Sequence, residues 1–410
     1  MTRLRLGLVG AGRRGQSHLT TILGMPDLFE LVAVCDPADV NVRATRARFA
    51  GAIYSDVGDL FSQERLDAVV IVTPPESHHV MAHAAAEHGV HMLIETPLAP
   101  TRPMMDYIGD VSAKAGVHVE VGENYWRRPV EQLNRQALDA GLIGDVLRVT
   151  CFYEMGGHAE MTYHAMSLMR FYAGAGSDGT EVRAFEDRRQ VQLGLDDSGR
   201  PFNPEVWSLS LVTFPNGVRA SNTQISTGAS PIRRSHPKAM TIEGTAGVIV
   251  SGRGAPNALH RIEDGVEARY PLVVDLDGEG KNATPRRYRY DTSPLMEVAN
   301  PYVDWPLRYG DHTFGVEDDI ARARELASLH RAITAGVGPE YGVADARQDQ
   351  ELSIAVNEAA RLQDAVRLPL GAETAWERAQ HDAFRAKWEQ DPFTDVGALV
   401  KQSFGARDSA

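Results

Sequence analysis

Over roughly the first 120 residues, short apolar runs alternate with longer segments of mixed polarity. The apolar runs are LRLGLVG, ELVAVCD, DAVVIVT, VHMLIE and GVHVEVG. Runs of this length that are rich in Val, Ile and Leu are typical of parallel strands buried on both faces. The segments between them, such as HHVMAHAAAEHG, have helical spacing. This alternation predicts a doubly wound parallel α/β sheet over residues 1–123.

The pattern changes after Gly122. The segments VLRVTCFYEM, SLSLVTFPNG, VRASNTQIS and AMTIEGTAGVIV have the texture of strands, and their Asn-Gly and glycine-containing joints favour hairpins. Helical periodicity returns in DDIARARELASLHRAI and RQDQELSIAVNEAARLQDAV. We therefore predict a second α/β domain over residues 124–372 with a mostly antiparallel sheet. Residues 373–410 are predicted to form a helical tail, which packs either on the body or on a partner subunit.

The length of the chain favours two domains, and its charge excludes some classes of partner. A chain of 410 residues exceeds what one hydrophobic core usually supports, which agrees with two domains. The net charge of −13 gives no general attraction to nucleic acid or to an anionic membrane. The chain lacks an apolar run of membrane-spanning length, a signal-peptide pattern and a cysteine framework for disulfides or a metal. We expect a cytoplasmic protein without nucleic-acid, membrane or metal partners.

The first candidate site is the glycine-rich segment LGLVGAGRRG. Gly10, Gly12 and Gly15 have G-x-G-x-x-G spacing between a predicted strand and a predicted helix, which is the context of a dinucleotide-binding turn. Asp36 ends the second strand, where a carboxylate accepts bonds from the adenosine ribose and repels a 2′-phosphate. The sequence therefore predicts NAD as the cofactor, in preference to NADP. Arg13 and Arg14 either touch the phosphates or are solvated, and solvation is favoured for both.

Several segments in order resemble the Gfo/Idh/MocA oxidoreductase family over about residues 3–370. They are GAGRRG, TPPESH, IETP, GLIGDV and TIEGTAGVIV, together with a histidine-containing segment around Glu160–His164. The resemblance implies an N-terminal Rossmann domain that binds NAD and a C-terminal α/β domain with an open sheet. It also implies a sugar, inositol or related polyol as substrate, and a dimer or tetramer formed through the open sheet.

The resemblance also implies roles for individual residues. The glycines would hold the pyrophosphate and Asp36 the adenosine ribose, while Glu95 and Thr96 would lie near the nicotinamide ribose. The other residues implied for the cofactor are Thr73, Pro74, His78 and Asn124.

The family's usual Glu-Lys-Pro reads Glu95-Thr96-Pro97 here, so the lysine that commonly takes the hydroxyl proton is replaced by threonine. Three interpretations remain open. His164 handles the proton, with Glu160 orienting it and Tyr163 as a lesser candidate. Alternatively, the protein resembles the NAD-dependent glycoside hydrolases of this fold, which oxidise a sugar transiently and then eliminate the aglycone. In the third interpretation the chain is a non-catalytic dinucleotide or sugar sensor.

Candidate substrate contacts follow the sixth apolar run. Tyr125 and Trp126 either stack on a sugar or pack between the domains. Arg127 and its neighbour Arg128 either hold an acidic sugar or are solvated, with one of them favoured as solvated. The basic segment SPIRRSHPK, residues 230–238, is a second candidate for binding an anion. An anionic carbohydrate is therefore one option for the substrate.

Overall fold

The computed structural model describes the backbone of most of the chain. The described residues are 2–154, 160–174, 178–189, 205–226, 238–253, 256–278, 283–303 and 316–402. The basic segment 230–238 therefore lies almost wholly outside the described residues.

The N-terminal part of the chain is built on six parallel strands. They are β1 (Leu4–Val9), β2 (Phe29–Cys35), β3 (Ala52–Tyr54), β4 (Ala68–Ile71), β5 (His91–Glu95) and β6 (Val119–Gly122). Their order across the sheet is β3-β2-β1-β4-β5-β6, and every neighbouring pair is parallel. The chain reverses direction across the sheet between β1 and β4, which is the switch point where open α/β sheets bind ligands. The predicted doubly wound sheet is confirmed.

Helices cover both faces of this sheet. The helices from the same part of the chain are α1 (Arg13–Leu23), α2 (Asp39–Arg46), α3 (Val57–Gln63), α4 (His78–Glu87) and α5 (Arg102–Ala115). A single turn of 3₁₀ helix, Pro75–Ser77, precedes α4. The side chains of β1, β4, β5 and β6 are almost all buried because they contact helices on both sides, whereas those of the edge strand β3 are half-buried.

The second part of the chain forms a larger, mixed sheet. Its elements begin with α6 (Pro129–Asp139), β7 (Val146–Glu154), α7 (Glu160–Ala173), β8 (Glu181–Arg189), β9 (Glu205–Thr213), β10 (Arg219–Ser226), β11 (Lys238–Gly244), β12 (Gly247–Arg253), β13 (Ala258–Glu263) and β14 (Val266–Pro271). The order of the described strands is β14-β13-β12-β11-β7-β10-β9-β8-β18, where β18 (Val366–Arg367) follows much later in the chain. Every pair is antiparallel except β7 with β10, so the prediction of a mostly antiparallel sheet is confirmed.

A small antiparallel sheet and two long helices complete this part. The small sheet contains β15 (Val273–Asp277), β16 (Thr284–Tyr290) and β17 (Met296–Ala299). The helices are α8 (Val316–Ala335) and α9 (Val343–Leu362). Although the sequence division placed α8 in the second domain, its apolar face packs on the first sheet, where Ile320, Leu326 and Leu329 join the core that contains β1 and β4.

The C-terminal tail packs on the N-terminal sheet and its helices. It contains α10 (Ala375–Trp388) and α11 (Val396–Val400). Phe384, Trp388 and Leu399 are buried in the core around α3, α4 and α5. The structure therefore shows the tail packed on the body of its own chain. Among the described residues, no helix combines the length and apolarity needed to cross a membrane.

Candidate active site

The glycine-rich turn between β1 and α1 forms one wall of a cleft of about 350 Å³. Gly10 has a φ of +91°, and a Cβ there would lie 2.5 Å from the Val72 carbonyl oxygen. A Cβ on Gly15 would lie 2.1 Å from the Gly10 carbonyl oxygen. Both positions therefore require glycine, one for the turn and one for the close approach of helix and strand.

Gly12 shows that the cleft suits a pyrophosphate. A Cβ at Gly12 would have only the Asn41 amide nitrogen within contact, at 3.9 Å, so packing does not account for this glycine. Gly12 is also the N-cap residue of α1, so no side chain caps the N-terminus of this helix. The first turn of α1 contains no acidic residue. The first turn of α1 and the positive end of the helix dipole therefore face the cleft, which favours an anionic group. Arg13 is exposed and lines the same cleft.

Asp36 lies on the cleft wall at the end of β2. Its carboxylate accepts hydrogen bonds from the Ala11 and Ala38 backbone N–H groups, at 2.7 and 2.9 Å. The Asn41 amide donates to both carboxylate oxygens at 3.1–3.2 Å. These bonds fix the carboxylate against the glycine-rich turn, on the wall of the cleft.

The segment after β4 contributes Thr73 and Pro74 to the cleft. The predicted cofactor residue His78 is fully buried behind them. Its Nε2 lies 2.8 Å from the Thr73 carbonyl oxygen and its Nδ1 lies 3.1 Å from the Leu98 carbonyl oxygen. His78 therefore supports the cofactor-binding loop and does not itself line the cleft.

A buried charge network lies where the two parts of the chain meet. Glu95 accepts hydrogen bonds from Arg14 Nε at 2.5 Å and pairs with His18 Nε2 at 2.6 Å. Arg14 also pairs with Asp318 of α8 at 2.8 Å. Burial alone would raise the pKa of Glu95, but Arg14 and His18 outweigh burial and lower it. Arg14 is therefore an internal partner of carboxylates, which corrects the expectation that it is solvated.

Thr96 is half-buried and directly follows the Glu95 carboxylate. Its backbone N–H donates to Glu95 Oε2 at 3.0 Å. Asn124, which follows β6, donates to Asp318. Burial raises the pKa of Asp318, but the guanidinium groups of Arg14 and Arg322 outweigh it and hold the value at about 2. The amide of Asn124 is therefore fixed by a charged carboxylate, which Arg14 connects to the cleft.

His164 lies at the other end of this network. Its Nδ1 is 2.7 Å from Glu123 Oε2, and Glu123 is fully buried beside Asn124. The Tyr125 ring stacks on the imidazole with ring centroids 4.1 Å apart and an interplanar angle of 21°. The Arg128 guanidinium lies 3.9 Å from the Tyr125 ring centroid. The imidazole is thus held on one edge by a carboxylate and on one face by an aromatic ring.

The other two predicted catalytic residues take different positions. The Tyr163 hydroxyl lies 2.8 Å from the Tyr341 hydroxyl, in a fully buried chain that continues to Asp349. Burial raises the pKa of Tyr163 well above its ordinary value, so this hydroxyl stays protonated inside the core. Tyr163 is therefore a core residue. Glu160 begins α7, and its side chain lies outside the described residues.

Among the predicted substrate residues, only Tyr125 adjoins His164. Trp126 packs against Phe171, with ring centroids 5.6 Å apart, and under the Arg127 guanidinium at 4.6 Å. Arg127 is fully buried and binds Glu120, the Val121 carbonyl oxygen and the Glu123 carbonyl oxygen. Arg127 therefore stabilises the junction after β6, and the expectation that it faces an acidic substrate is corrected.

Two site residues were missed as partners in the sequence analysis. Glu123 was given no role there, although the position of a carboxylate directly after a buried strand, next to Asn124, could have indicated a site residue. Asp318 gave no local signal, because its partners Arg14 and Asn124 are roughly 200–300 residues away in the sequence. Among the described residues there is no group of three or more side chains suited to holding a metal ion.

Comparison with known proteins agrees with the glycine-rich turn and the cleft. Residues 4–123 match the model of an oxidoreductase family with an NAD-binding Rossmann fold. The first part of the chain is therefore an NAD-binding Rossmann domain. The matched model is that of the Gfo/Idh/MocA family.

Curated relatives are similar over part of their length. The rhizopine catabolism protein MocA of Rhizobium meliloti is 35% identical over 192 residues, which cover 42% of this chain and 58% of that protein. Inositol 2-dehydrogenase 1 of Saccharopolyspora erythraea is 34% identical over 155 residues, covering 37% and 45%. A glycosyl hydrolase family 109 protein of Parabacteroides distasonis is 31% identical over 166 residues, covering 37% and 35%. The matched region thus spans about one third to three fifths of these relatives.

The fold of both parts of the chain matches a solved structure of levoglucosan dehydrogenase in complex with NADH and levoglucosan. The TM-score is 0.69 at 21% identity, and the match covers 90% of this chain and all of that one. This similarity establishes the two-part architecture.

Proposed function

We propose that the protein is an NAD-dependent oxidoreductase that acts on a CH–OH group of a sugar or a sugar-like polyol. The observation that supports this most strongly is the His164–Glu123 pair. Glu123 directly precedes Asn124, whose amide donates to Asp318, and Asp318 pairs with Arg14 on the wall of the NAD cleft. A similar inositol dehydrogenase supports the substrate class.

Glu123 determines how His164 works in this proposal. The Glu123 carboxylate accepts a hydrogen bond from Nδ1–H, which leaves the Nε2 lone pair available for a proton. The Tyr125 ring restricts rotation of the imidazole. NAD, when bound, supplies the acceptor for the hydride that leaves the substrate carbon. His164 Nε2 takes the proton from the substrate hydroxyl, so that the two losses leave a carbonyl group.

The cofactor is held by the glycine-rich turn and Asp36. The α1 N-terminus binds the pyrophosphate, and the Asp36 carboxylate binds the adenosine ribose. Because this carboxylate would repel a 2′-phosphate, we expect NAD to bind more tightly than NADP. Glu95 and Thr96 would lie by the nicotinamide ribose, with Asn124 on the same side.

A second candidate function is redox-neutral cleavage of a glycoside. Thr96 has no basic group, and the family's lysine is missing at that position. In such a reaction the substrate carbon is oxidised only transiently, which acidifies the neighbouring C–H and permits elimination of the aglycone. Water then adds and the hydride returns. The similarity to a glycosyl hydrolase family 109 protein supports this alternative.

One assay distinguishes these functions. Purified protein is incubated with NAD and either a panel of free sugars and polyols or aryl glycosides. Accumulation of NADH with a free sugar or polyol supports the dehydrogenase. Aryl-glycoside cleavage that needs NAD and leaves no NADH supports the hydrolase. Tight NAD binding without turnover of any substrate would contradict both and leave a dinucleotide sensor.

We also propose a cytoplasmic homo-oligomer. Phe185 on β8 and Trp207, Leu209 and Leu211 on β9 are each 38–48% exposed, and they point to one face of the nine-stranded sheet. A contiguous apolar surface of this kind supports packing against a second copy. Sedimentation velocity should give the mass of a dimer or tetramer, and a monomer at micromolar concentration would contradict the proposal.

A further inference from the structure

The end of the C-terminal tail lies beside the NAD cleft. Helix α11 packs on α4, where Val396 and Leu399 are buried in the same apolar cluster as Val57 and Met81. Val57 and Met81 also line the cleft. The turn that follows α11 is therefore placed at the cleft by a buried apolar contact.

Gln402 is the residue that this turn brings to the cleft, and it is one of the cleft-lining residues. Its backbone N–H donates to the Leu399 carbonyl oxygen at 2.9 Å, which continues the turn after α11. Its side-chain oxygen Oε1 is buried and has no hydrogen-bond partner among the described residues. A buried amide oxygen without a partner is unfavourable because it has lost its bonds to water, and a ligand with a suitable donor removes this cost.

The position of Gln402 in the cleft indicates which part of NAD it meets. The glycine-rich turn forms the pyrophosphate end, and Asp36 marks the adenosine ribose. Beyond Asp36, the cleft is lined by Ser55 and Val57 after β3 and by Met81 of α4. Helix α11 packs on α4, which carries Met81, and it shares one apolar cluster with Val57. Gln402 therefore belongs to the side of the cleft formed by α3 and α4, where we expect the adenine.

We propose that Gln402, positioned by the C-terminal tail, binds the adenine ring of NAD. An amide can accept a hydrogen bond from the exocyclic amine of adenine and donate one to the adjacent ring nitrogen, which is a pairing that glutamine makes with adenine elsewhere. Ribose and pyrophosphate are bound by the first part of the chain, so the tail adds recognition of the base. This inference rests on the proposed NAD-dependent function.

The test compares two dinucleotides by calorimetric titration. One is NAD, and the other is an NAD analogue in which purine, which lacks the exocyclic amine, replaces adenine. Gln402→Leu should weaken NAD binding about fivefold to tenfold, as expected for the loss of one or two hydrogen bonds. The same variant should lose less affinity for the purine analogue, no more than about threefold, because the analogue keeps the ring nitrogen and lacks only the amine that donates to the amide oxygen.

Lys401→Leu is the matched control, because Lys401 is the exposed neighbour of Gln402 and should bind both dinucleotides normally. Equal affinities of Gln402→Leu and wild type for NAD would overturn the inference, as would an equal loss for both dinucleotides. In either case, NAD binding by the wild-type protein would still support the proposed NAD-dependent function. A wild-type protein that binds no NAD would overturn the function and the inference together.

Discussion

At the residue scale, the proposed proton transfer depends on the pairing of His164 with Glu123. We expect His164→Ala to lower kcat by about 10²–10⁴-fold, because a positioned acid–base group contributes this much. The affinity for NAD should change less than twofold, since the cofactor contacts lie on other elements. Glu123→Gln should lower kcat by about 10–100-fold and shift the pH profile, because Glu123 orients the imidazole.

Tyr163→Phe is the control for these kinetic measurements. Tyr163 neighbours His164 in the sequence, but among the described residues its hydroxyl bonds to Tyr341, which in turn bonds to Asp349 in the core. This variant should keep near-wild-type kcat and lose some thermal stability. An unchanged kcat in His164→Ala would remove His164 from the mechanism.

Some site residues were predictable from the sequence because they lie close together along the chain. Gly10, Gly12 and Asp36 occupy fixed offsets within one strand–helix–strand unit, so that spacing alone placed them on the cleft. Arg127 was wrongly assigned to the substrate. It is close in sequence to predicted site residues, but this closeness does not show whether its side chain is buried. Its partner Glu340 lies 213 residues away, and only the tertiary fold brings the two together.

At the element scale, the strands and most helices followed from periodicity, whereas the docking of α8 and the tail did not. The tail is held by Arg102, whose guanidinium makes a bidentate pair with Glu377 at 2.9 and 2.7 Å. These residues are 275 positions apart. No local pattern encodes such a contact, and the sequence analysis therefore left two docking sites open for the tail.

The buried pair gives a prediction about the tail. Glu377 is fully buried and Arg102 nearly so, and removing one partner leaves the other charge buried. Glu377→Ala should therefore lower the free energy of unfolding by about 3–5 kcal/mol, as measured in urea. The exposed pair of Arg385 and Asp391 supplies the control, and Arg385→Ala should change stability little. Equal stability of the two variants would show that the pair does not hold the tail.

At the scale of the whole molecule, the contact between α8 and the first sheet contains an unusual carboxyl group. Glu325 of α8 is fully buried, and neither of its side-chain oxygens has a hydrogen-bond partner among the described residues. A Cβ on Gly122 of β6 would lie 3.5 Å from Glu325 Oε2. Burial raises the pKa of Glu325 well above its ordinary value, and the nearby Glu95 charge raises it further.

This raised pKa makes stability depend on pH. Above the unfolded pKa of Glu325, the folded protein binds more protons than the unfolded chain, so stability falls as pH rises towards the folded pKa. Glu325→Gln removes this dependence. Between pH 6 and 8, the wild-type free energy of unfolding should decline relative to the variant by up to about 1.4 kcal/mol per pH unit. Parallel urea-unfolding profiles for the two proteins would show that Glu325 is charged in the folded state.

The most direct test of the central claim is a crystal structure of the protein with NAD. Hydride transfer and proton removal act on adjacent atoms of one CH–OH group, so the nicotinamide C4 and His164 Nε2 must both reach it. The nicotinamide C4 should lie about 3–3.5 Å from the substrate carbon, and Nε2 about 2.6–3.2 Å from the oxygen bonded to that carbon. Together these distances give a separation of about 5–7 Å between C4 and Nε2. We predict this separation, with the two atoms facing one common space. A nicotinamide ring that points into a space that His164 does not reach would contradict the account.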